Sequence, residues 1–368
     1  MSTSTFTPKA KSGLSLGKRR RTLQVFALVV MVVYTLVTIF PFYALVIRSF
    51  VPTKESADLH LWLPETEEVS MNSQAGNLAV FYDLDLRDLK DALGIPQTEF
   101  IMSRTTLRQI AEKYSIPEEK IKDYFAGFYR YNGWRTLLTG NLYGTSFWGA
   151  LFRTVIITVV SLTLLILLSI MTGYGLAGLR RKDQMVVYNI YLLQMVIPAM
   201  LILLPQYLIM QSFFKLFPGY EVEGLLRTVL QLLSIILINI KGTALTVMIF
   251  TSAIGSIPNE VEDSAMIDGA SSWQYIRFIL IPLLKVPIVS LIVIMMPSIY
   301  NQFLEPYVYL DSKNSTLLPF VQSAVGQFST NYQVIYSAIL ASVIPMVVIY
   351  LIFRRFFVEG VMSGAIKG

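Results

Sequence analysis

Six apolar runs, each near the ~20 residues that a helix needs to cross ~30 Å of hydrocarbon, constrain this chain more than any other feature. They extend from Val25 to Ile47, Phe152 to Leu176, Val186 to Ile209, Leu230 to Ile254, Phe278 to Ile299 and Tyr336 to Phe353. Hydrophobic residues are 54% of the chain and charged residues 15%, a balance that suits a polytopic membrane protein. Basic clusters orient the runs: Lys18, Arg19, Arg20 and Arg21 precede the first, Arg180, Arg181 and Lys182 separate the second from the third, and Arg354 and Arg355 follow the last. The positive-inside rule puts all three clusters on the cytoplasmic side, and an even number of spans lets both termini share it. The first run is too long for a signal peptide and lacks a small-residue cleavage site before Arg48, so it is expected to stay as a span. The expected organisation is a basic tail (1–22), a first span (23–51), an extracytoplasmic insertion (52–146), a membrane core (147–358) with a cytoplasmic loop at 256–277, and a cytoplasmic tail (359–368).

That loop is polar in an otherwise apolar region. It reads Ile257-Pro258-Asn259-Glu260-Val261-Glu262-Asp263-Ser264-Ala265-Met266-Ile267-Asp268-Gly269-Ala270 and leads to Ile279-Leu280-Ile281-Pro282. Asn259 with Glu262, and Ser271 with Gln274, have capping-box spacing, and Gly269 supplies a helix stop between them. The spacing predicts two short helices joined at an elbow outside the bilayer, a handle for a soluble partner. The loop resembles the E-A-A loop of bacterial ABC importer permeases. The closing Glu359-Gly360-Val361-Met362-Ser363-Gly364-Ala365-Ile366-Lys367-Gly368 is similar to the terminus of the maltose-type carbohydrate permeases. The resemblance covers roughly residues 147–368. At one place the chain departs from it, with Asp263-Ser264-Ala265 where the family usually has Glu-Ala-Ala.

The resemblance implies an all-α, six-span permease of the type I ABC importer fold in the bacterial inner membrane. It further implies a second homologous permease, two ATP-binding subunits that use ATP and Mg, an extracytoplasmic substrate-binding lipoprotein and an oligosaccharide substrate. In that reading Glu260, Glu262, Asp263, Ser264, Ala265, Asp268, Gly269 and Ala270 form the ATPase-coupling loop: the acids bring charge to the contact, Gly269 the bend, and Ala265 and Ala270 the small side chains for close approach. Ser363, Gly364, Lys367 and Gly368 form a second ATPase contact at the C-terminus.

Residues 52–144 break the apolar pattern with dense charge, and about ninety residues suffice for a small domain. Leu84, Leu86, Leu89 and Leu93 precede Gly94, a helix stop. Thr106 with Gln109 and Ser115 with Glu118 have capping-box spacing, and Ile121, Tyr124, Phe125, Phe128 and Tyr131 predict one buried helical face. The helices around Ile110-Ala111 and Ile116-Pro117 also fit a DNA-binding helix-turn-helix or part of a lysin-motif glycan module, although the topology argues against DNA. A scaffold that docks a binding protein or braces the outer mouth is the plainer expectation.

Catalytic signatures are missing. The nearest approach to G-x-x-x-x-G-K-[ST] is Gly13-Leu14-Ser15-Leu16-Gly17-Lys18-Arg19, one residue short and with Arg19 in place of the metal-binding hydroxyl, and better read as a flexible basic tail. There is no cysteine and His60 is the only histidine, so neither a Cys-based nor a His-based metal site is expected, and no cofactor bound by this chain. The net charge of +6 is concentrated at the membrane flanks, where it meets anionic lipid, so no nucleic-acid partner is expected.

Polar residues at membrane depth are costly unless paired, and a few stand out. Lys241 falls within the fourth run beside Asn239 and Gly242, placed either on a path or near the interface with its stem snorkelling. Gln194 and Gln206 flank Pro198, Asn301, Gln302 and Glu305 follow the fifth run just before Pro306, and Tyr300 and Tyr307 stand beside them. Amides, carboxylates and aromatic faces suit a sugar, and inter-helix hydrogen bonding accounts for the same residues. Rival readings are a permease for a peptide or amino acid, a secondary transporter, for which neither inverted repeats nor an acidic relay is visible, and a membrane receptor that senses through the insertion.

Overall fold

The computed structural model describes residues 16–52, 61–63, 69–82, 84–142, 144–323 and 331–365. Phe128's side chain, Lys367 and Gly368 lie outside the described residues. Among the described residues the regular structure is helical apart from an antiparallel pair of two-residue strands, β1 (Asn141–Leu142) and β2 (Thr145–Ser146), and an isolated bridge between Gln74 and Thr106. Among the described residues, 3 helices are long and apolar enough to cross a membrane unbroken, and three bent pairs bring the total to 6 if each pair is one span.

The unbroken helices are α1 (Leu16–Arg48), α6 (Phe147–Ala177) and α17 (Tyr332–Ala365). Helix α1 already includes Lys18 to Arg21, so the basic cluster sits on helical turns and not on the flexible tail expected from the sequence. Helix α17 likewise runs on through Ser363 and Gly364.

Each bent pair has a local cause. Helices α7 (Arg181–Val196) and α8 (Ala199–Phe214) meet at 96°, because Pro198 pushes Ile197 out of the helical region. Helices α9 (Leu225–Asn239) and α10 (Ala244–Gly255) meet at 61°, where Gly242 adopts φ +70° and Thr243 restarts the helix through a reciprocal cap with Thr246. Helix α14 (Lys285–Tyr300) departs at 71° from the segment before it, breaking at Leu284 just ahead of Pro287, which has no N–H for Leu283.

Helix α6 is the hub, packing against α9, α10 and α14. A Cβ on Gly173 would lie 2.8 Å from the Phe250 Cβ, so glycine sets how closely α6 and α10 approach. Its buried Thr154 and Thr158 hydroxyls donate to the Ala150 and Thr154 carbonyls (2.9 and 2.7 Å), which keeps polar groups satisfied inside the bundle.

Between α1 and α6 lie α2 (Ala75–Tyr82), α3 (Leu86–Leu93), α4 (Leu107–Tyr114) and α5 (Glu118–Thr139). They share a core that includes Leu89, Leu107, Ile110, Ile121 and Phe125. Gly94 closes α3 at φ +76°, and the Thr106–Gln109 box caps α4 with both of its bonds. Two local expectations fail. Ser115 is spent as the left-handed end of α4 (φ 52°), so it does not cap α5, which starts after Pro117. Tyr131 is exposed and meets Phe50 edge-on, since by that point α5 has left the insertion core. There α5 packs on α17, where the Gly133 N–H donates to Gln333 Oε1 (3.1 Å), and reaches the end of α1, where the Trp134 indole N–H donates to Ser49 Oγ (3.2 Å).

Candidate functional site

The segment between α10 and α14 folds as an elbow. Helix α11 (Asn259–Ile267) starts after Pro258, whose fixed φ suits that position, and carries Glu260 and Glu262 in its first turn, where negative charge is favoured. At its far end Gly269 adopts φ +83°. The Gly269 N–H donates to the Met266 carbonyl and the Ala270 N–H to the Ala265 carbonyl, both at 3.0 Å, the paired bonds of a Schellman stop. Ser271 then caps α12 (Ser272–Tyr275) in a reciprocal box with Gln274. A π-helical turn (Ile276–Leu280) and the short α13 (Ile281–Leu283) connect to α14. Pro282 lacks the N–H that an α-helix would offer to Phe278, and Ile281 N–H bonds Ile276 instead.

The inner face of the elbow is welded to the spans. Ala265 is buried, and Val261 and Ala270 are half-buried, in a cluster with Ile170 and Phe250 of α6 and α10 and with Tyr275, Leu280 and Leu284. Glu262 accepts a hydrogen bond from the Tyr174 hydroxyl near the end of α6. The Tyr174 and Tyr275 rings lie 6.2 Å apart beside a cavity of about 380 Å³. Three expectations change as a result. The Asn259–Glu262 capping box does not form, because Asn259 is already helical and has no side-chain cap bond, while Glu262 is turned toward Tyr174. Glu262 is therefore an internal anchor. Ala265 permits close approach, but to this chain's own spans.

The outer face carries Glu260, Asp263, Ser264, Asp268 and Gly269, all exposed. Ser264 bonds back to the Glu260 backbone carbonyl at 2.6 Å, and the carboxylates of Glu260, Asp263 and Asp268 stay free on the surface. Among them stand Ile267, 85% exposed, and Trp273, 59% exposed. Ile267 thus holds a β-branched apolar side chain almost fully in water beside acids. The sequence signal for this exposure was an apolar residue out of phase with the half-buried Val261 and the buried Ala265.

The polar residues near the spans fall into separate places. Gln194 and Gln206 are half-buried on α7 and α8. Lys241 is exposed at the break between α9 and α10. Tyr300 is buried and its hydroxyl donates to the Ser342 carbonyl (3.1 Å), so it serves the packing of α14 on α17 and offers no open ring face. Gln302 Oε1 accepts from the Asn239 side chain at 3.1 Å, and the same amide lies 3.5 Å from Ser161 Oγ, a polar junction of α6, α9 and the turn that follows α14. Asn301 is exposed, and Glu305 is half-buried in the first turn of α15 (Leu304–Tyr309).

At the opposite end of the bundle from the elbow, α15 and α16 (Leu317–Ser323) border a cavity of about 340 Å³ lined in part by Thr145, Tyr307, Asp311 and Ser315. Two ion pairs lie beside it. Asp311 meets Arg227 at 2.8 Å, and Glu223 meets Lys313 at 2.8 Å, which holds the Glu223 carboxyl below and the Lys313 ammonium above their usual ranges. Among the described residues no group of three His, Cys, Asp or Glu could hold a metal.

Comparison with known proteins agrees with this geometry. The family model for the binding-protein-dependent transport system inner membrane component matches residues 165–362, which include the elbow. The probable starch degradation products transport system permease protein AmyC of Thermoanaerobacterium thermosulfurigenes is 26% identical over 219 residues, 59% of this chain and 75% of that protein. The melibiose/raffinose/stachyose import permease protein MelC of Bacillus subtilis (strain 168) is 29% identical over 218 residues, again 59% and 75%. A solved bacterial ABC transporter involved in the import of the acidic polysaccharide alginate superposes with a TM-score of 0.60 over 95% of this chain and 100% of its own, at 16% identity, so the two share the type I importer permease fold. The match spans more than half of the sequence, and the chain belongs to the binding-protein-dependent transport system inner membrane component family.

Proposed function

We propose that this chain is the membrane-spanning subunit of an ATP-driven importer for oligosaccharides, and that its elbow couples the spans to a separate ATP-binding subunit. The observation that carries the reading is the two-faced elbow: Ala265 and the Tyr174–Glu262 bond fix one side to the spans, and Ile267, Trp273, Asp263 and Asp268 leave the other open. An apolar knob ringed by carboxylates fits a cleft with basic rims. Closure of two ATP-binding subunits, which use ATP and Mg, would push α11, and the rigid inner face would pass that push to α6, α10 and α14.

The partners in this reading are a second homologous permease, two ATP-binding subunits and an extracytoplasmic binding lipoprotein, with both termini and the elbow in the cytoplasm. Helix α17 runs on to Ala365, and in this reading Ser363 and Gly364 form a second contact with the same subunits. The sugar class rests on the substrates named for the relatives, starch degradation products and melibiose, raffinose and stachyose. Chemical catalysis is assigned to the ATP-binding partners.

Tagged protein purified from its native membrane tests the assembly: an ATP-binding subunit and a second permease should co-purify, whereas a lone homodimer would favour a receptor. Reconstituted with its binding protein, the complex should take up labelled oligosaccharide in an ATP-dependent way. Uptake of peptide or amino acid alone would reject the sugar class.

A further inference from the structure

The insertion meets the spans at a second place besides α5. Leu61, Trp62 and Leu63 are all exposed, the indole at 79%, although they belong to the charged segment outside the spans. They are held at a defined level, because the Tyr43 hydroxyl of α1 donates to the Leu61 carbonyl. Tyr43 sits on a stretch of α1, Leu23–Arg48, whose 26 residues are long and apolar enough to cross a membrane and whose most apolar part is left unburied by this chain.

The level can be estimated. At ~1.5 Å per residue that stretch is ~39 Å long, about 9 Å more than the hydrocarbon core. Tyr43 lies five residues before Arg48, hence ~7.5 Å from the end, near the boundary between acyl chains and headgroups. A segment bonded to Tyr43 shares that depth. Tyrosine and tryptophan concentrate at this boundary because an apolar ring with one polar group suits both sides of it. Leu61 and Leu63 on either side of Trp62 add aliphatic surface whose removal from water is favourable.

We infer that Leu61-Trp62-Leu63 is a lipid anchor that dips into the interface of the leaflet at the end of α1 remote from Lys18–Arg21, and pins the insertion to the bilayer surface beside α1. The surface is continuous with the apolar outer face of α1, where Phe42 and Val46 flank Tyr43 and are themselves exposed. The anchor is independent of what the chain transports.

The absence of cysteine makes the test direct. Single variants Leu63→Cys and Trp62→Cys, in the full chain with its co-purifying subunits in phosphatidylcholine–phosphatidylglycerol nanodiscs, would carry a nitroxide label. Collision with oxygen is then compared with collision with a water-soluble nickel chelate. References are Glu112→Cys, exposed on α4, and Val37→Cys, exposed on α1. The expected oxygen-to-nickel ratio at positions 62 and 63 is several-fold above that at 112 and approaches that at 37. Adding Tyr43→Phe should shift it toward the value at 112. Nickel access equal to that at 112 overturns the anchor. Protection from both reagents also overturns it, by placing a protein partner there. If one labelled variant fails to assemble, the other reads the same depth.

Discussion

The elbow and the insertion are both built from short helices outside the long spans, and they are stabilised in opposite ways. The insertion buries Leu89, Leu107, Ile110, Ile121 and Phe125 in a core of its own and touches the spans mainly through the far half of α5. The elbow has no separate core: Val261, Ala265 and Ala270 pack on residues of α6, α10 and α14, and Glu262 is held by Tyr174. A part with its own core can keep its shape while the spans move. A part that borrows its core must move with them, which is what a coupling device requires.

The largest expected effect separates the two. Leu107→Ala should cost ~2–5 kcal/mol of insertion stability. Hydrogen exchange of α4 amides should accelerate accordingly, with α11 unchanged; equal acceleration in α11 would mean that the two regions share one cooperative unit. Tyr174→Phe leaves the half-buried Glu262 carboxylate without its donor, a loss of ~1–3 kcal/mol. Here α11 amides should exchange faster, α4 should be silent, and sugar uptake per ATP hydrolysed should fall. Unchanged uptake per ATP would break the claim that the inner face transmits the push.

Gly269→Val sharpens the same contrast. A Cβ there meets nothing within 4 Å, so the whole cost is the left-handed backbone at φ +83°, ~1–2 kcal/mol or more for a β-branched residue. Transport should uncouple from hydrolysis while membrane insertion persists, and Gly269→Asn, which tolerates that conformation, should restore part of it.

The smallest effect is a pH dependence confined to the insertion. Glu99 accepts from Lys113 and from the Tyr114 hydroxyl, both at 2.9 Å, and these donors hold its carboxyl below the usual glutamate range. A depressed carboxyl contributes stability above its unfolded value of ~4.3, and that contribution is lost as pH falls through the folded value. Both groups are exposed, so the change should be small, screened by salt and absent in Glu99→Gln. Acid sensitivity in α4 exchange that persists in Glu99→Gln would assign it to another group.

Much of this fold was legible because the bilayer fixes the length of an apolar run, and six such runs are easily counted. The bends were less legible. Pro198 was visible, but the breaks at Gly242 and Leu284 depend on a positive φ and on proline placement inside runs of unbroken apolarity. Local caps were readable where both partners are near in sequence, as for Ser271 with Gln274 and Thr106 with Gln109. They misled where another demand won: Glu262 has a partner 88 positions away, and Ser115 is needed in the left-handed region. The acidic outer face of the elbow was evident from composition, whereas Ile267 and Trp273 emerged as its apolar centre only once Ala265 was seen to point inward.

The central claim is that the outer face of α11 docks on an ATP-binding subunit, and Ile267 tests it most directly. In an otherwise cysteine-free chain, Ile267→Cys carrying a short bifunctional reagent should cross-link to that subunit in native membranes, and should resist a membrane-impermeant maleimide added to intact cells. Rapid labelling of Ile267→Cys from outside the cell, with no cross-link to an ATP-binding protein, would contradict the account.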